Sequence, residues 1–214
     1  MDTEEFQRTM DDLGGKIYVA LQERRPVASL ALELACFLFD WGRGTPAVRQ
    51  LIETRPADLS GPQSAGLAAE LLQDINFDPG FKLAPHRIDN LKMALQGVQA
   101  DLSGVRFIDG LHLRFDEEEY GARARVALPG QSLLSSGNGV PAAAGDDPAD
   151  SLLAVAEEVQ DEIADRFWLV WPECPMHKLG VHPVKAESSA WWHCRADGGH
   201  FVARIGSMPH AHTP

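Results

Sequence analysis

Cysteine and histidine residues are concentrated near the C-terminus: two of the chain's three cysteines and four of its eight histidines lie in residues 171–208. Cys174 and His177 are separated by two residues, and Cys194 and His200 by five. Two short Cys/His pairs with a hairpin-sized gap between them are the layout of a zinc ribbon, and thiolate and imidazole are suitable ligands for tetrahedral Zn²⁺. The need for four side chains to meet at one ion constrains the fold of this segment strongly.

The residues around the two pairs predict how the segment folds. The turn between Cys174 and His177 is expected to aim backbone N–H groups at the thiolate. Residues 186–194 and 200–208 are expected to form short strands that return to the two pairs. The adjacent rings of Trp191-Trp192 then fall on opposite faces of the first strand, one covering the ribbon and the other packing toward the preceding helix.

Further histidines are alternative ligands. His193 adjoins Cys194 and would point to the opposite face of a strand, and His182 could replace His200 only if the chain doubled back. The segment could also keep the shape of a ribbon without a metal, with its cysteines buried or free. Residues 209–214 contain two more histidines and are expected to form a disordered tail.

The segment from Asp150 onward contains, in order, the patterns W-P-x-C-P-x-H, W-x-C and H-x-V-A-x-I-G. In these patterns it resembles a zinc-ribbon-like C-terminal module of bacterial proteins, commonly from high-G+C organisms. The resemblance covers about 60 of the 214 residues. It implies that Cys174, His177, Cys194 and His200 form one unit, and it implies no activity.

The first hundred residues have the periodicity of helices. We expect a helix over residues 3–22 that is interrupted near Gly14-Gly15, one opening at Pro26, and two more near 62–75 and 85–102. The last of these has the clearest amphipathic spacing, and the two residues in its first turn, His86-Arg87, are expected to be exposed.

A glycine-containing turn separates the helix opened by Pro26 from the next one. Gly42 suits the left-handed position after a helix, and Thr45 can cap a helix that begins at Pro46. The turn also spells G-x-G-x-x-A, but a dinucleotide site needs a preceding strand, so a helix cap is favoured. The turn could also belong to a DNA-binding helix-turn-helix. Its second helix would then carry only two basic residues, Arg49 and Arg55, so this interpretation is weakly supported.

A short antiparallel sheet is predicted after residue 104. A hairpin with Ile108–Gly110 as its loop places one set of apolar residues on a single face. The set is Val105, Phe107, Leu111, Leu113 and Phe115. A further strand, 122–128, would leave basic residues on the other face, namely Arg106, His112, Arg114, Arg123 and Arg125. That face could bind anions, but an ordinary solvated face is favoured.

Residues 129–147 are rich in Gly, Ser, Pro and Ala and are predicted to be a flexible linker. Asp147 is expected to cap a helix whose apolar stripe is Leu152, Val155, Val159 and Ile163. Its acidic residues are expected to face solvent or a partner; they are Glu157, Glu158, Asp161, Glu162 and Asp165. The predicted organisation is an α+β fold with a body at 1–128, the linker, a module at 148–208 and the tail.

Charge and composition limit the binding partners and the cellular location that we expect for this chain. The net charge is −12, and the part of the chain before Pro172 carries all of the excess. A strongly acidic body disfavours nucleic acid and favours a protein partner. The polar, acidic N-terminus is unlike a secretory signal, and no apolar run reaches membrane-spanning length. Three cysteines make a poor disulfide framework, and Cys36, in an apolar run, is expected to be a buried thiol. We therefore expect a cytoplasmic protein.

Catalytic signatures are not found in the sequence. It lacks H-E-x-x-H, the zinc-deaminase pattern, a G-x-S-x-G elbow and a P-loop. The favoured hypothesis is a non-catalytic protein with a structural zinc ribbon that binds another protein. One alternative is a metal-dependent hydrolase that uses three of the ligands, recruits His182 or His193, and has Glu173 or Glu187 as its base. A second alternative is a ribbon that binds nucleic acid.

Overall fold

The computed structural model describes residues 3–59, 61–102, 108, 110–118, 121–128 and 138–209. These residues contain seven α-helices and two three-stranded antiparallel sheets, which confirms the predicted α+β class. None of the described helices has the length and apolar character that a bilayer crossing requires. The chain contacts form two compact units, Met1–Pro79 and Gly80–Pro214.

The first unit is helical. Its α-helices are α1 (Thr3–Gln22), α2 (Ala28–Asp40), α3 (Pro46–Glu53) and α4 (Gly61–Asp74), with a 3₁₀ turn at Pro56–Asp58. Helix α1 continues through Gly14-Gly15 without the expected interruption. The periodic apolar residues of these helices meet in one core, in which the largest fully buried side chains are Ile17, Leu34, Leu38, Val48, Leu51 and Leu71. Burial of these periodic apolar side chains is therefore what stabilises this unit.

The turn between α2 and α3 is the predicted helix cap. Gly42 has a φ of +73°, and the Thr45 hydroxyl accepts a hydrogen bond from the backbone N–H of Val48 at 3.3 Å. Pro46 is the first residue of α3. A helix precedes this turn, so it lacks the strand that a dinucleotide-binding loop requires.

The second unit combines helices with both sheets. Its helices are α5 (Gly80–Leu83), α6 (His86–Asp101) and α7 (Pro148–Phe167). The first sheet has the order β1-β2-β3, formed by His112–Glu118, Gly121–Ala127 and Val140–Pro141. The second has the order β4-β5-β6, formed by His182–Ala186, Ser189–Cys194 and His200–Arg204. Helix α7 packs against α6, β2, β4 and β5, so it lies at the centre of this unit.

The first sheet agrees with the predicted alternation where it is described. Leu113 pairs with Val126 and Phe115 with Ala124, and these residues share the face that packs on the core. The first strand of the predicted hairpin, residues 105–107, lies outside the described residues, and so does its register. On the other face of the sheet Arg114 is directly opposite Arg125.

The described part of the predicted linker is folded. Within residues 138–147, β3 pairs with β2 and a 3₁₀ turn runs from Ala142 to Asp146, with Ala142 fully buried. A Cβ added at Gly145 would lie 2.6 Å from the Cβ of Arg87, so the small residue permits close packing against α6. The predicted division at 129–147 thus falls inside the second unit. Residues 129–137, and 210–214 of the predicted tail, lie outside the described residues.

Two expectations of exposure are wrong. Arg87 is buried and donates from its Nε and one Nη to both carboxylate oxygens of Asp146, at 2.6 and 2.7 Å. Glu158 and Glu162 on α7 are only 6% and 7% exposed. Asp147 does cap α7 as predicted, by accepting from the N–H groups of its first turn. The two glutamates are buried because neighbouring elements cover more of α7 than its apolar stripe.

Candidate metal centre

The β4-β5-β6 sheet positions the C-terminal pairs. Along β5 the buried side chains alternate, with Ala190, Trp192 and Cys194 facing the core. Trp191 and His193 face outward, which confirms that the two tryptophan rings lie on opposite sides. The predicted strand 186–194 is interrupted by a turn after Ala186, so that its first residue belongs to β4. Strand alternation therefore aims Cys194 inward.

The first pair lies on a tight turn. The backbone N–H of Cys174 donates to the carbonyl of Leu179 at 2.7 Å, and the N–H of Lys178 donates to the carbonyl of Cys174 at 2.9 Å. The backbone N–H groups of Met176 and His177 donate to the Cys174 sulfur, as the sequence predicts. The turn therefore provides donors that stabilise a thiolate at its centre.

The second pair spans the connection between β5 and β6. Cys194 is the last residue of β5, His200 is the first of β6, and the two are paired directly across the strands. The five intervening residues include Asp197, Gly198 and Gly199, each with a positive φ. A Cβ on Gly199 would lie 2.8 Å from the ring of His193. This compact, left-handed loop is why a five-residue gap still keeps the pair together.

The structure brings all four predicted residues into one cluster. One donor atom from each of Cys174, His177, Cys194 and His200 lies within 4.8 Å of the others. The Cys174 sulfur is 3.5 Å from His177 Nδ1 and 3.5 Å from His200 Nε2, and the Cys194 sulfur is 3.5 Å from His177 Nδ1. Tetrahedral Zn–S and Zn–N bonds imply S···N separations of about 3.6 Å. The cluster is close enough to hold a metal ion.

The environment of Cys174 favours its charged form. Burial raises the pKa of this thiol, but the backbone N–H groups of His177 and Met176 and the His177 side chain oppose that effect. Together they lower the pKa from 9.0 to about 6. Metal ligation requires the thiolate, so a donor that is ionised at neutral pH suits a metal centre.

Asp197 was not identified from the sequence as part of this site. Its Oδ2 lies 3.4 Å from Nε2 of His177, whose Nδ1 faces the two sulfurs. A metal-binding histidine needs one nitrogen free of a proton, and a carboxylate beside the other nitrogen selects that tautomer. The available signal in the sequence was the position of Asp197 before two glycines, in the loop between Cys194 and His200.

The rest of the second unit anchors the cluster. The buried Trp192 ring packs edge-on against Trp171, at 5.4 Å between centroids. Gln160 on α7 donates to the carbonyls of Trp171 at 2.9 Å and Val181 at 2.7 Å, on either side of the first turn. Lys185 on β4 forms ion pairs with Asp147 and Asp150 at the start of α7. The predicted ribbon is thus continuous with the helical core of its unit.

The alternative ligands lie elsewhere on the sheet. His182 and His193 face each other across β4 and β5, and the ring of His193 contacts Phe201 at 5.4 Å. Neither histidine belongs to the cluster of four. The same holds for Glu173 and Glu187, which are exposed.

The arginine-bearing face of the first sheet is partly neutralised. Arg125 lies 3.7 Å from the carboxylate of Asp116. Arg123 donates to the carbonyl of Asn138 at 3.0 Å. These contacts fit a structural face better than an anion site.

Comparison of the chain with known protein families, with curated proteins and with solved structures finds no significant match.

Proposed function

We propose that Cys174, His177, Cys194 and His200 bind one Zn²⁺ ion as a structural centre in a non-catalytic protein that binds another protein. The observation that carries this proposal is the set of three S···N distances of 3.5 Å, which match tetrahedral zinc. Two thiolates and two imidazoles form a donor set that zinc accepts and that harder ions such as Mg²⁺ and Ca²⁺ do not.

A structural centre fits the closed ligand set. Catalytic zinc has three protein ligands and an open position, whereas four mutually close donors supply complete tetrahedral coordination. Both sulfurs are fully buried, which limits access of a substrate. The carboxylate of Asp197 lies 3.4 Å from Nε2 of His177, a position that suits the orientation of a ligand. These features favour the structural role over the hydrolase hypothesis.

The setting we propose is the cytoplasm, with a protein partner. All three cysteines are free thiols in this structure, and a reducing compartment keeps such thiols available for a metal. The net charge of −12 opposes binding to nucleic acid, whose affinity for proteins depends on lysine and arginine.

Metal content and stability test the zinc proposal together. We expect one zinc per chain by elemental analysis, and a zinc-edge anomalous signal with four protein ligands. Four of the five tryptophans lie between residues 168 and 192, so tryptophan fluorescence reports unfolding near the cluster. Cys174→Ser should lower the melting temperature measured by tryptophan fluorescence by on the order of 10 °C or more, because metal-binding free energy contributes to folding free energy.

The matched control is Cys36→Ser. This thiol was expected to be buried but is exposed on α2, so its removal should change neither zinc content nor this transition. His182→Ala tests the alternative ligand and should also keep the zinc. Absence of zinc in protein produced with zinc present, or loss of zinc in the His182 variant, would overturn the proposed ligand set. A water-occupied fourth position would support a catalytic centre instead.

A further inference from the structure

Exposed apolar side chains are concentrated beside the proposed zinc centre. Among the residues that the structure describes, ten large apolar side chains are exposed, and five of them lie in residues 168–179. They are Trp168, Leu169, Val170, Met176 and Leu179, which we call the apolar patch. Trp168 is 91% exposed, an unusual state for the side chain with the largest apolar area. Exposed apolar side chains concentrated in one segment of the chain are typical of interaction sites.

Two connected segments present this patch. Helix α7 ends with Trp168 in the left-handed conformation, after which the chain continues through Val170 toward the first cysteine. A Cβ added at Gly180 would lie 2.8 Å from Cγ1 of Val170. The side chain of Val170 therefore packs closely against the backbone at Gly180, just after the turn that carries Cys174 and His177. Leu179 precedes Gly180, and Met176 is at the tip of the same turn. The patch therefore joins the end of α7 to the proposed zinc turn.

An acidic stripe leads into the patch along α7. Glu157, Asp161 and Asp165 are exposed at four-residue spacing, and Trp168 follows Asp161 by two helical turns. Partial burial and the neighbouring Asp161 raise the pKa of Glu157, so the carboxylates of these two residues repel each other. A cation placed against the stripe would relieve that repulsion.

We infer that the apolar patch and the acidic stripe together form a docking surface for a basic amphipathic helix of a partner protein. Its apolar face would contact Trp168 and the zinc turn, and its lysines or arginines would face the stripe, as in helix-in-groove recognition. This inference rests on the proposed function, because the zinc-bound turn holds Met176 and Leu179 in place, and it adds the chemistry of the partner.

Charge decides between this occupant and two others. A second copy of the chain would bring another acidic stripe against the first unless the stripes were offset, and like charges in an interface are unfavourable. An anionic membrane surface would repel a chain of net charge −12. A cationic amphipathic helix is the occupant that complements both the apolar and the acidic parts.

Binding of a defined peptide tests the surface. The probe is a fluorescent peptide of roughly 18 residues, made of leucine and lysine with the leucines on one helical face. We expect zinc-loaded full-length protein to bind it, with affinity that falls as salt is added. A peptide with glutamate in place of every lysine should not bind. Trp168→Ala should weaken binding by about tenfold or more, as expected for a central aromatic anchor.

Matched variants separate the patch from general surface effects. Met93→Ala removes another exposed large apolar side chain, on α6, and should leave binding unchanged. The double change Glu157→Gln with Asp161→Asn should weaken binding and reduce its salt dependence. Equal binding of the glutamate peptide, failure of the lysine peptide to bind, or equal loss in the Met93 variant would overturn the docking surface.

The peptide test and the zinc test have distinguishable outcomes. Protein that holds zinc but does not bind the lysine peptide would refute the docking surface and leave the structural centre standing. Protein that binds the peptide through Trp168 without containing zinc would refute the centre and leave the surface. Concentration-dependent dimerisation that Trp168→Ala abolishes, with no peptide binding, would identify a second copy as the occupant and overturn the inference.

Discussion

The indole Nε1 of Trp192 donates a 2.7 Å hydrogen bond to Oδ2 of Asp101, which lies 91 residues earlier at the end of α6. The same carboxylate accepts from the backbone N–H groups of Gly206 and Met208, each at 2.7 Å. One buried acid therefore ties β5 and the segment after β6 to a helix of the core. Without it, these three donors would be left unpaired.

We predict that Asp101→Ala destabilises the second unit by about 2–5 kcal/mol, because it leaves three donors without their charged acceptor. Urea unfolding followed by tryptophan fluorescence measures the change. Asp89→Ala removes an exposed acid from the same helix and is the control, with an expected effect of only a few tenths of a kcal/mol. Equal stability of the two variants would show that the Asp101 bonds contribute little.

Two glycine substitutions should have opposite consequences. In Gly145→Ala the new methyl group would lie 2.6 to 2.9 Å from the Cβ, Cα and backbone oxygen of Arg87, which cannot all move away cheaply. We expect a loss of about 1–3 kcal/mol. Gly66→Ala, within α4, meets nothing within 4 Å and should stabilise by about 0.5–1 kcal/mol. Thermal unfolding of both variants checks the contrast, and a neutral Gly145→Ala would contradict the close packing.

The Arg87–Asp146 pair should make stability sensitive to acid. Hydrogen bonding to Arg87, together with its positive charge and that of His86, outweighs burial and lowers the pKa of Asp146 below 3.8. A carboxyl with a depressed folded-state pKa stabilises the fold above its unfolded pKa, and this stabilisation is lost as pH falls through the folded value. Asp146→Asn should therefore be less stable than the parent at pH 7. The difference should shrink below about pH 4 in denaturant titrations. A difference that did not change with pH would argue against the charge of Asp146 as its source.

Asp197 should contribute to metal affinity through His177. We expect Asp197→Ala to weaken zinc binding about 10- to 100-fold while the stoichiometry at saturating zinc stays at one, because the ligand loses the carboxylate that orients it. Competition with a chromophoric chelator measures the affinity. Glu187→Gln removes an exposed charge on the β4–β5 turn, at the end of β5 remote from Cys194, and serves as the control. An unchanged affinity in the Asp197 variant would leave the carboxylate without a role at the centre.

Zinc affinity should also depend on pH through Cys174. Its pKa of about 6 means that the thiolate predominates at pH 7 and that protons compete with the metal below pH 6. We expect this residue to contribute up to about a tenfold loss of affinity per pH unit below that value. Chelator competition between pH 5 and pH 8, spanning roughly one to two units on either side of that pKa, measures the slope. Affinity that stayed constant across this range would contradict ligation by the Cys174 thiolate.

The parts of the fold that the sequence predicted are those set by local spacing. The capped turn before Pro46, the Asp147 cap of α7 and the inward alternation of β5 each depend on residues within a few positions of one another. The four clustered residues were predicted for the same reason. A two-residue turn constrains one pair, and a hairpin brings the other beside it.

Only the tertiary structure decided which polar groups are buried and where the chain divides. Asp101 meets donors 91 to 107 residues away, Arg87 meets Asp146 across 59 residues, and Glu158 and Glu162 are covered by elements that periodicity along α7 cannot identify. Small-residue composition suggested a linker before α7, yet its described part is packed against α6. Composition and periodicity report a residue's own preference and its near neighbours, whereas burial depends on which distant surfaces the folded chain brings together.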